Sequence, residues 1–429
     1  MAISSTITQL ASQPIDAKQH HGEARNQSQR LRSLNPTIRE LMRISGTVGL
    51  SVGVHRKGLP RYVANFGFRD NDNKLPITGQ TILNACSLSK FFVAMTMARA
   101  VDDPTSPLTW ESLVRDTLPG FAIDDDLIRE NLNMVDLLSH RSGLSTGPNR
   151  RGGNNQMMGP FRQKWGYNNV GYETAGLVLD EVTGSWAKTM REELLVPLGM
   201  KRSSLYHPVH KDENVAKVYG TLDNRSPVEI SSAAAEEGSV VGGPGGGLFT
   251  CVDDLLNAYA AALEAFKDQV ATGDAKTEGS PIRRAANLLS AKIPMLRPTY
   301  RELSYALGMC RIQLPGPMGQ IGNNADLIPD MPVVGKGAPS TLVFCHQGSR
   351  PGTLCAMAML PELDTSVVVM SNSLGLNDCP DWVLQLVIEE LLAVLGPDRN
   401  DYLDYARKSA AATYNWERKR LQRWHERVG

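Results

Sequence analysis

The stretch Asn84-Ala85-Cys86-Ser87-Leu88-Ser89-Lys90, with the apolar run from Phe91 to Val101 behind it, decides how the rest of the chain is read. Ser87 and Lys90 stand three apart, and on a helix that spacing brings both side chains to one face. A serine hydroxyl attacks poorly until a neighbouring base takes its proton, and a lysine in a partly desolvated pocket is neutral enough to do so. Backbone N–H groups in the first turn of a helix add a local preference for negative charge. The four residues therefore form a compact nucleophile-and-base unit.

The same S-x-x-K pattern recurs at Ser185-Trp186-Ala187-Lys188, so spacing alone does not choose between them. What lies downstream does. Tyr167-Asn168-Asn169 gives a Y-x-N and His346-Gln347-Gly348 an H-x-G, and Ser185 already lies beyond the Y-x-N. The order S-x-x-K, Y-x-N, H-x-G is met only from Ser87. A second H-x-G, His20-His21-Gly22, precedes Ser87 and falls in a polar N-terminal arm.

That order resembles the serine β-lactamase and penicillin-binding-protein superfamily, in particular its class C-like, S12-type branch of esterases, D-aminopeptidases and acyltransferases. Further segments carry the likeness: Val135-Asp136-Leu137-Leu138-Ser139-His140-Arg141-Ser142-Gly143-Leu144, Gly171 to Leu179, Val196-Pro197-Leu198-Gly199-Met200, and Gly245-Gly246-Gly247-Leu248-Phe249-Thr250 before Asp253-Asp254-Leu255. Together they span most of residues 40 to 395.

The resemblance implies an α+β fold, an α/β sandwich in which N- and C-terminal segments build one antiparallel sheet flanked by helices, with an all-helical lobe inserted. The patterning is compatible. Asn35 before Pro36 marks a helix start, with Ile38, Leu41 and Met42 on one face. Val48 to His55 and Arg61 to Phe68 read as a hairpin, and Leu342 to Cys345, Leu354 to Leu360 and Ser366 to Met370 as strands, the last two joined at Pro361-Glu362-Leu363-Asp364. Tyr172 to Val182 reads as a helix ended by Gly184, and Trp382 to Leu395 as one stopped by Gly396-Pro397. Thr250 with Asp253 reads as a capping box for a helix from Leu255 to Ala265. The organisation expected is a flexible arm over 1–32, a catalytic domain over 33–397 and a helical extension over 398–429 with a basic end. Within the domain, 33–80 and 341–397 form the sheet lobe and 81–340 the helical lobe. The loops Thr146 to Gly166 and Leu314 to Ser340 are long enough to wall a cleft.

Length and charge set bounds. A chain of 429 residues suggests two lobes or domains, and Lys plus Arg balances Asp plus Glu at 45 each, which argues against a nucleic-acid partner. No signal-peptide core or membrane-length apolar run stands out, so the reading is a soluble, cytoplasmic protein of undetermined oligomeric state. The six cysteines, Cys86, Cys251, Cys310, Cys345, Cys355 and Cys379, have neither C-x-x-C spacing nor disulfide-scaffold density and read as buried thiols. No zinc motif occurs and the glycine-rich run Gly242 to Gly247 lacks the Lys-Ser/Thr of a phosphate loop, so neither metal nor cofactor is expected.

Carried over residue by residue, the resemblance makes Ser87 the acylated nucleophile, Lys90 the group that takes its proton, and Tyr167 a second acid or base with its pKa lowered by Lys90. Asn169 and His346 contact substrate, Gly348 lets the strand approach it, and the N–H groups of Ser87 and Ser349 form the oxyanion hole. The middle position holds Asn168 where many members of that superfamily have serine, a departure expected to be tolerated there. His346 replaces the permanent cation of K-T-G, so ester hydrolysis ranks above β-lactam hydrolysis. The expected substrate is a small ester or amide. Transfer of the acyl group to an alcohol or amine is the alternative within the same chemistry, and a silent ligand-binding relative the alternative outside it. Two rival sites stand beside this one: Cys86 paired with His346, and the G-x-S-x-G of Gly143-Leu144-Ser145-Thr146-Gly147, which needs a strand before its serine.

Overall fold

The structure, a computed structural model, describes residues 17–121, 123, 125–144, 159–205, 212–230, 243–295 and 299–413. Among them, a nine-stranded antiparallel sheet runs edge to edge through Leu75–Pro76, Tyr62–Asp70, Gly49–Arg56, Thr365–Ser371, Thr353–Leu360, Thr341–Arg350, Cys310–Leu314, Leu303–Tyr305 and Ile293–Pro294. The N-terminal hairpin therefore pairs directly with the C-terminal strands, with Val52 opposite Val369 and Val54 opposite Val367. This is the α+β architecture expected.

Side chains alternate across a strand, and here each face has its own core. Ala356, Ala358 and Leu360 pack into a cluster with Leu50, Val52 and Trp382, whereas Cys355, Met357 and Met359 join the cluster that holds Phe91, Phe92 and Tyr259. With both faces covered the central strands are buried throughout, which is why they read as continuous apolar runs. Helix Cys379–Leu391 and helix Asn35–Ser45 cover one face, the long helix Val252–Thr272 the other. Gly53 makes that second approach possible: a Cβ there would lie 2.4 Å from Val252 Cγ1 and 2.7 Å from Leu256 Cδ1.

Several boundaries differ from the sequence expectation. Part of the arm is helix, Ala17–Ser33, tied down by buried Leu31 and by Arg30 Nε at 2.8 Å from Glu390 Oε1. The segment 81–340 is not all helical, because Leu303–Tyr305 and Cys310–Leu314 complete the sheet beside Thr341–Arg350 and Val252–Thr272 lies on it. The capping box does not form: that helix begins at Val252 behind Cys251, while Thr250 Oγ1 bonds Ser203 Oγ at 2.6 Å. The C-terminal helix ends at Leu391, four residues early, with Ala393 at positive φ. Beyond it residues 402–413 are helical, and the basic end lies outside the described residues. The six cysteines are buried and free. No described helix is long and apolar enough to cross a membrane.

Candidate active site

Ser87 occupies a turn of 3-10 helix, Cys86–Leu88, that runs straight into helix Ser89–Asp102. The turn is set by its neighbours. Asn84 Oδ1 accepts the Cys86 N–H at 2.7 Å, Cys86 takes the left-handed φ of 49°, and Ser89 Oγ donates to Cys86 O at 2.6 Å while accepting Leu248 N–H at 3.1 Å. A non-glycine residue at positive φ is uncommon and persists where surrounding contacts overdetermine it. The helix behind is buried on nearly every face, so the turn has a rigid mount.

The two side chains meet, with Lys90 Nζ 3.1 Å from Ser87 Oγ. A second Lys90 N–H goes to the carbonyl of Gly245 at 2.6 Å, and the tip lies 4.9 Å from the centroid of the Tyr167 ring. Lys90 is fully buried, and burial lowers its pKa to about 7, against smaller opposing effects of Cys86 and Glu173. From the other side the Tyr167 hydroxyl donates to Ser87 Oγ at 2.7 Å. The hydroxyl, amine and phenol named from sequence are thus gathered, with Ser87 and Tyr167 half-buried at the opening.

Tyr167 departs from expectation in its acidity. Burial pushes its phenol well up from the ordinary value, and the Ser87 hydrogen bond offsets this only in part. Lys90 does not lower it as expected, because an amine that is itself desolvated to near neutrality supplies little positive charge.

The strand Thr341–Arg350 closes the opposite wall. At Gly348 an added Cβ would meet Cys355 Sγ at 2.6 Å, Cys86 Cβ at 2.8 Å and Ser87 N at 3.0 Å, so glycine is required for the strand to lie against the nucleophile turn. Pairing with Cys310–Leu314 ends at Cys345, which leaves His346 to Arg350 without a strand partner on that side among the described residues. Ser349 is exposed, and its Oγ accepts from Asn323 Nδ2 at 3.2 Å, which ties the 314–340 loop to the end of this strand. The other loop expected to wall the cleft is described only from residue 159 onward.

His346 is closed off from solvent. It is fully buried, with Nδ1 2.6 Å from its neighbour's Gln347 carbonyl and Nε2 3.0 Å from the Tyr305 hydroxyl. A carbonyl only accepts, so the proton is on Nδ1 and Nε2 accepts from Tyr305. Burial lowers its pKa to about 3, with Lys90 adding to the shift. The expected substrate contact is corrected to a neutral brace between strands, and nothing pairs it with Cys86, whose thiol points to the carbonyls of Asn84 and Thr353. The other rival fails at its first requirement, since helix Met134–Leu138, not a strand, precedes Gly143.

Asn169 is exposed at the start of helix Asn169–Thr183 and lies against Gly245, the acceptor of Lys90. Asn168 is buried; its Oδ1 caps that helix on Val170 N at 2.7 Å and its Nδ2 donates to Leu144 O at 2.7 Å. Sequence reasoning gave no role to Gly245, to His140 or to Arg350. Arg350 Nη1 donates to Gly246 O at 3.2 Å, which sets a permanent cation two residues beyond Gly348. A lone arginine or a backbone carbonyl leaves no pattern to find. Among the described residues no group of three or more His, Cys, Asp or Glu side chains could hold a metal.

Comparison with known proteins follows the same lines. The Beta-lactamase family model matches residues 34–389. A beta-lactamase from Providencia stuartii is 24% identical over 245 residues, covering 54% of this chain and 59% of that protein. The unguisins hydrolase ungD' from Aspergillus campestris is 25% identical over 178 residues, 37% of this chain and 33% of that protein. Thus the chain spans less than two thirds of these curated relatives. Among solved structures, a class C beta-lactamase superposes with a TM-score of 0.63 at 19% identity, covering 88% of this chain and 98% of the other. The octameric penicillin-binding protein homologue from Pyrococcus abyssi gives 0.64 at 21% identity, covering 84% and 77%.

Proposed function

Because the chain belongs to the beta-lactamase family, we propose that it is a serine acyl hydrolase in which Ser87 is acylated by a small ester or amide and water then releases the acyl group. The observation that carries this reading is the placement of two proton-handling groups on one hydroxyl, Lys90 Nζ at 3.1 Å and Tyr167 Oη at 2.7 Å from Ser87 Oγ.

The roles follow from the protonation states. With its pKa near 7, Lys90 is half neutral at that pH and mostly neutral above it, and so takes the Ser87 proton, whereas Tyr167 holds its own. Lys90 is therefore the base and Tyr167 the proton donor. Ser87 Oγ attacks the carbonyl carbon, and the developing oxyanion is held by the N–H groups of Ser87 and Ser349. Tyr167 passes its proton to the departing oxygen or nitrogen and recovers one from the Lys90 ammonium. Water then repeats the sequence in reverse on the acyl-enzyme. Asn169, exposed beside Gly245, hydrogen-bonds the flank of the substrate, and Gly348 lets it lie along the open strand edge.

Esters rank above β-lactams. His346, at the position where the K-T-G lysine would stand, is neutral and buried, so it offers no charge to a ring carboxylate.

Incubation with an activated aryl ester, followed by intact mass measurement, tests the reading. The parent protein should gain one acyl mass and Ser87→Ala none; an adduct retained in Ser87→Ala moves the nucleophile elsewhere. Adding a competing alcohol and analysing products separates hydrolysis from acyl transfer.

A further inference from the structure

Lys90 is mounted on a buried helix, Ser87 on the turn that runs into it and Gly348 on a central strand, but Tyr167 sits in the connection that enters helix Asn169–Thr183. We propose that His140 is the positioning residue that sets the Tyr167 hydroxyl on Ser87, by clamping the chain on both sides of the tyrosine. This rests on the reading of Ser87, Lys90 and Tyr167 given above.

Three contacts converge. The His140 carbonyl accepts the Gly166 N–H at 2.8 Å, and its Nδ1 accepts the Asn168 N–H at 3.0 Å. Between those two anchors the imidazole lies on the Tyr167 ring, centroids 4.4 Å apart and planes tilted by 40°. One residue thus fixes the backbone before Tyr167, the backbone after it and the face of its ring. The hydroxyl so placed is the one 2.7 Å from Ser87 Oγ.

His140 is built at some expense for this. It is 1% exposed and takes the left-handed φ of 60°, which strains a side-chain-bearing residue. Because Nδ1 accepts, the ring proton is on Nε2, and that nitrogen has no hydrogen-bond partner among the described residues. It is enclosed instead by the rings of Tyr305 and Tyr172, at centroid distances of 4.8 Å and 5.3 Å, with Trp165 edge-on at 6.3 Å. A group needed only to fill this space would be an apolar ring, with no N–H left orphaned. What an apolar ring lacks is the acceptor for Asn168. Burial holds the imidazole neutral, as that acceptor role requires, since an imidazolium Nδ1 donates.

A double-mutant cycle between His140 and Tyr167, read as kcat and KM on an aryl ester, tests the clamp. Loosening a reacting group by a fraction of an ångström costs on the order of 10- to 100-fold in rate. His140→Ala should lower kcat by that factor with KM little changed. In a Tyr167→Phe background, where no hydroxyl remains to be placed, the same substitution should change kcat by less than about twofold. His140→Asn sharpens the test, because its Oδ1 stands where Nδ1 stood and asparagine tolerates the left-handed conformation. It should recover most of the loss, and it serves in the cycle if His140→Ala does not fold. Equal losses in both backgrounds, or His140→Asn no better than a folded His140→Ala, overturn the clamp and leave the Tyr167 reading standing. Parent-level turnover in Tyr167→Phe alone overturns both.

Discussion

Ser87-Leu88-Ser89-Lys90 and Ser185-Trp186-Ala187-Lys188 share one spacing and do opposite things with it. Ser185 is the N-cap of helix Trp186–Met190: its Oγ accepts the Lys188 backbone N–H at 3.2 Å, and the Lys188 side chain is exposed. Ser87 caps nothing. It lies inside a 3-10 turn, its oxygen is left for Lys90 and Tyr167, and Lys90 is buried with its tip turned back towards it. The difference teaches that the spacing only brings two side chains to one face. Where the serine oxygen serves the backbone, the amine stays in water; where its partner is a phenol, water is excluded and burial lowers the amine's pKa to about 7.

The largest separation between the two copies is expected on removing the serines. Ser87→Ala should abolish both the acyl adduct and turnover, with Ser185→Ala at parent level in both; an adduct on Ser185 would erase the distinction. Next come the lysines. Lys90→Met should cost roughly 2–4 kcal/mol of transition-state stabilisation, the scale of one preorganised catalytic contact, and Lys188→Met nothing measurable. Steady-state kinetics on the aryl ester decides, and comparable losses for both lysines would deny burial its role.

A pH profile sharpens the same contrast. If neutral Lys90 is the base, kcat/KM should fall tenfold per unit below about pH 7 and level off above it. Stability carries the matching sign. Folding lowers the Lys90 pKa, so between about 7 and its unfolded value the unfolded chain binds the extra proton and stability rises with pH; below about 7 this contribution is at its least. Lys90→Met should flatten both trends, whereas a rate profile centred near pH 4 would transfer the role of base to a carboxylate.

Much of this was legible in the sequence because it is carried by side-chain pattern. Apolar runs marked Thr353–Leu360 and Thr365–Ser371, Gly184 marked a helix end, and the order of motifs singled out Ser87, Lys90 and Tyr167, which the fold brings together. What escaped depends on tertiary burial or on the backbone. Leu303–Tyr305 is three residues long and is a strand because Cys310–Leu314 and Ile293–Pro294 pair with it on either side. The acidity of Tyr167 was read from its neighbour's charge, whereas exclusion of water dominates it. His346 looks like a substrate contact in sequence and becomes a brace once Tyr305 meets it. The carbonyl that anchors Lys90 belongs to Gly245, and no side chain announces it.

The smallest effect tests the structural half of the contrast. If Ser185 is a cap, Ser185→Ala orphans the Lys188 N–H and should cost about 1 kcal/mol, the usual loss for such a position. In a chain of this length that lowers the melting temperature by on the order of 1–2 °C. Ser185→Asp keeps an acceptor at the helix start and adds a charge favoured there, so it should restore the parent value or exceed it. Because Trp186 behind the cap is buried and Asp180 Oδ1 already accepts its N–H at 2.7 Å, the helix has a second anchor and the loss should stay local, without changing kcat or KM. An unchanged melting temperature in Ser185→Ala would mean that this second anchor alone fixes the helix start, and that the pattern at Ser185 has neither a chemical nor a structural use.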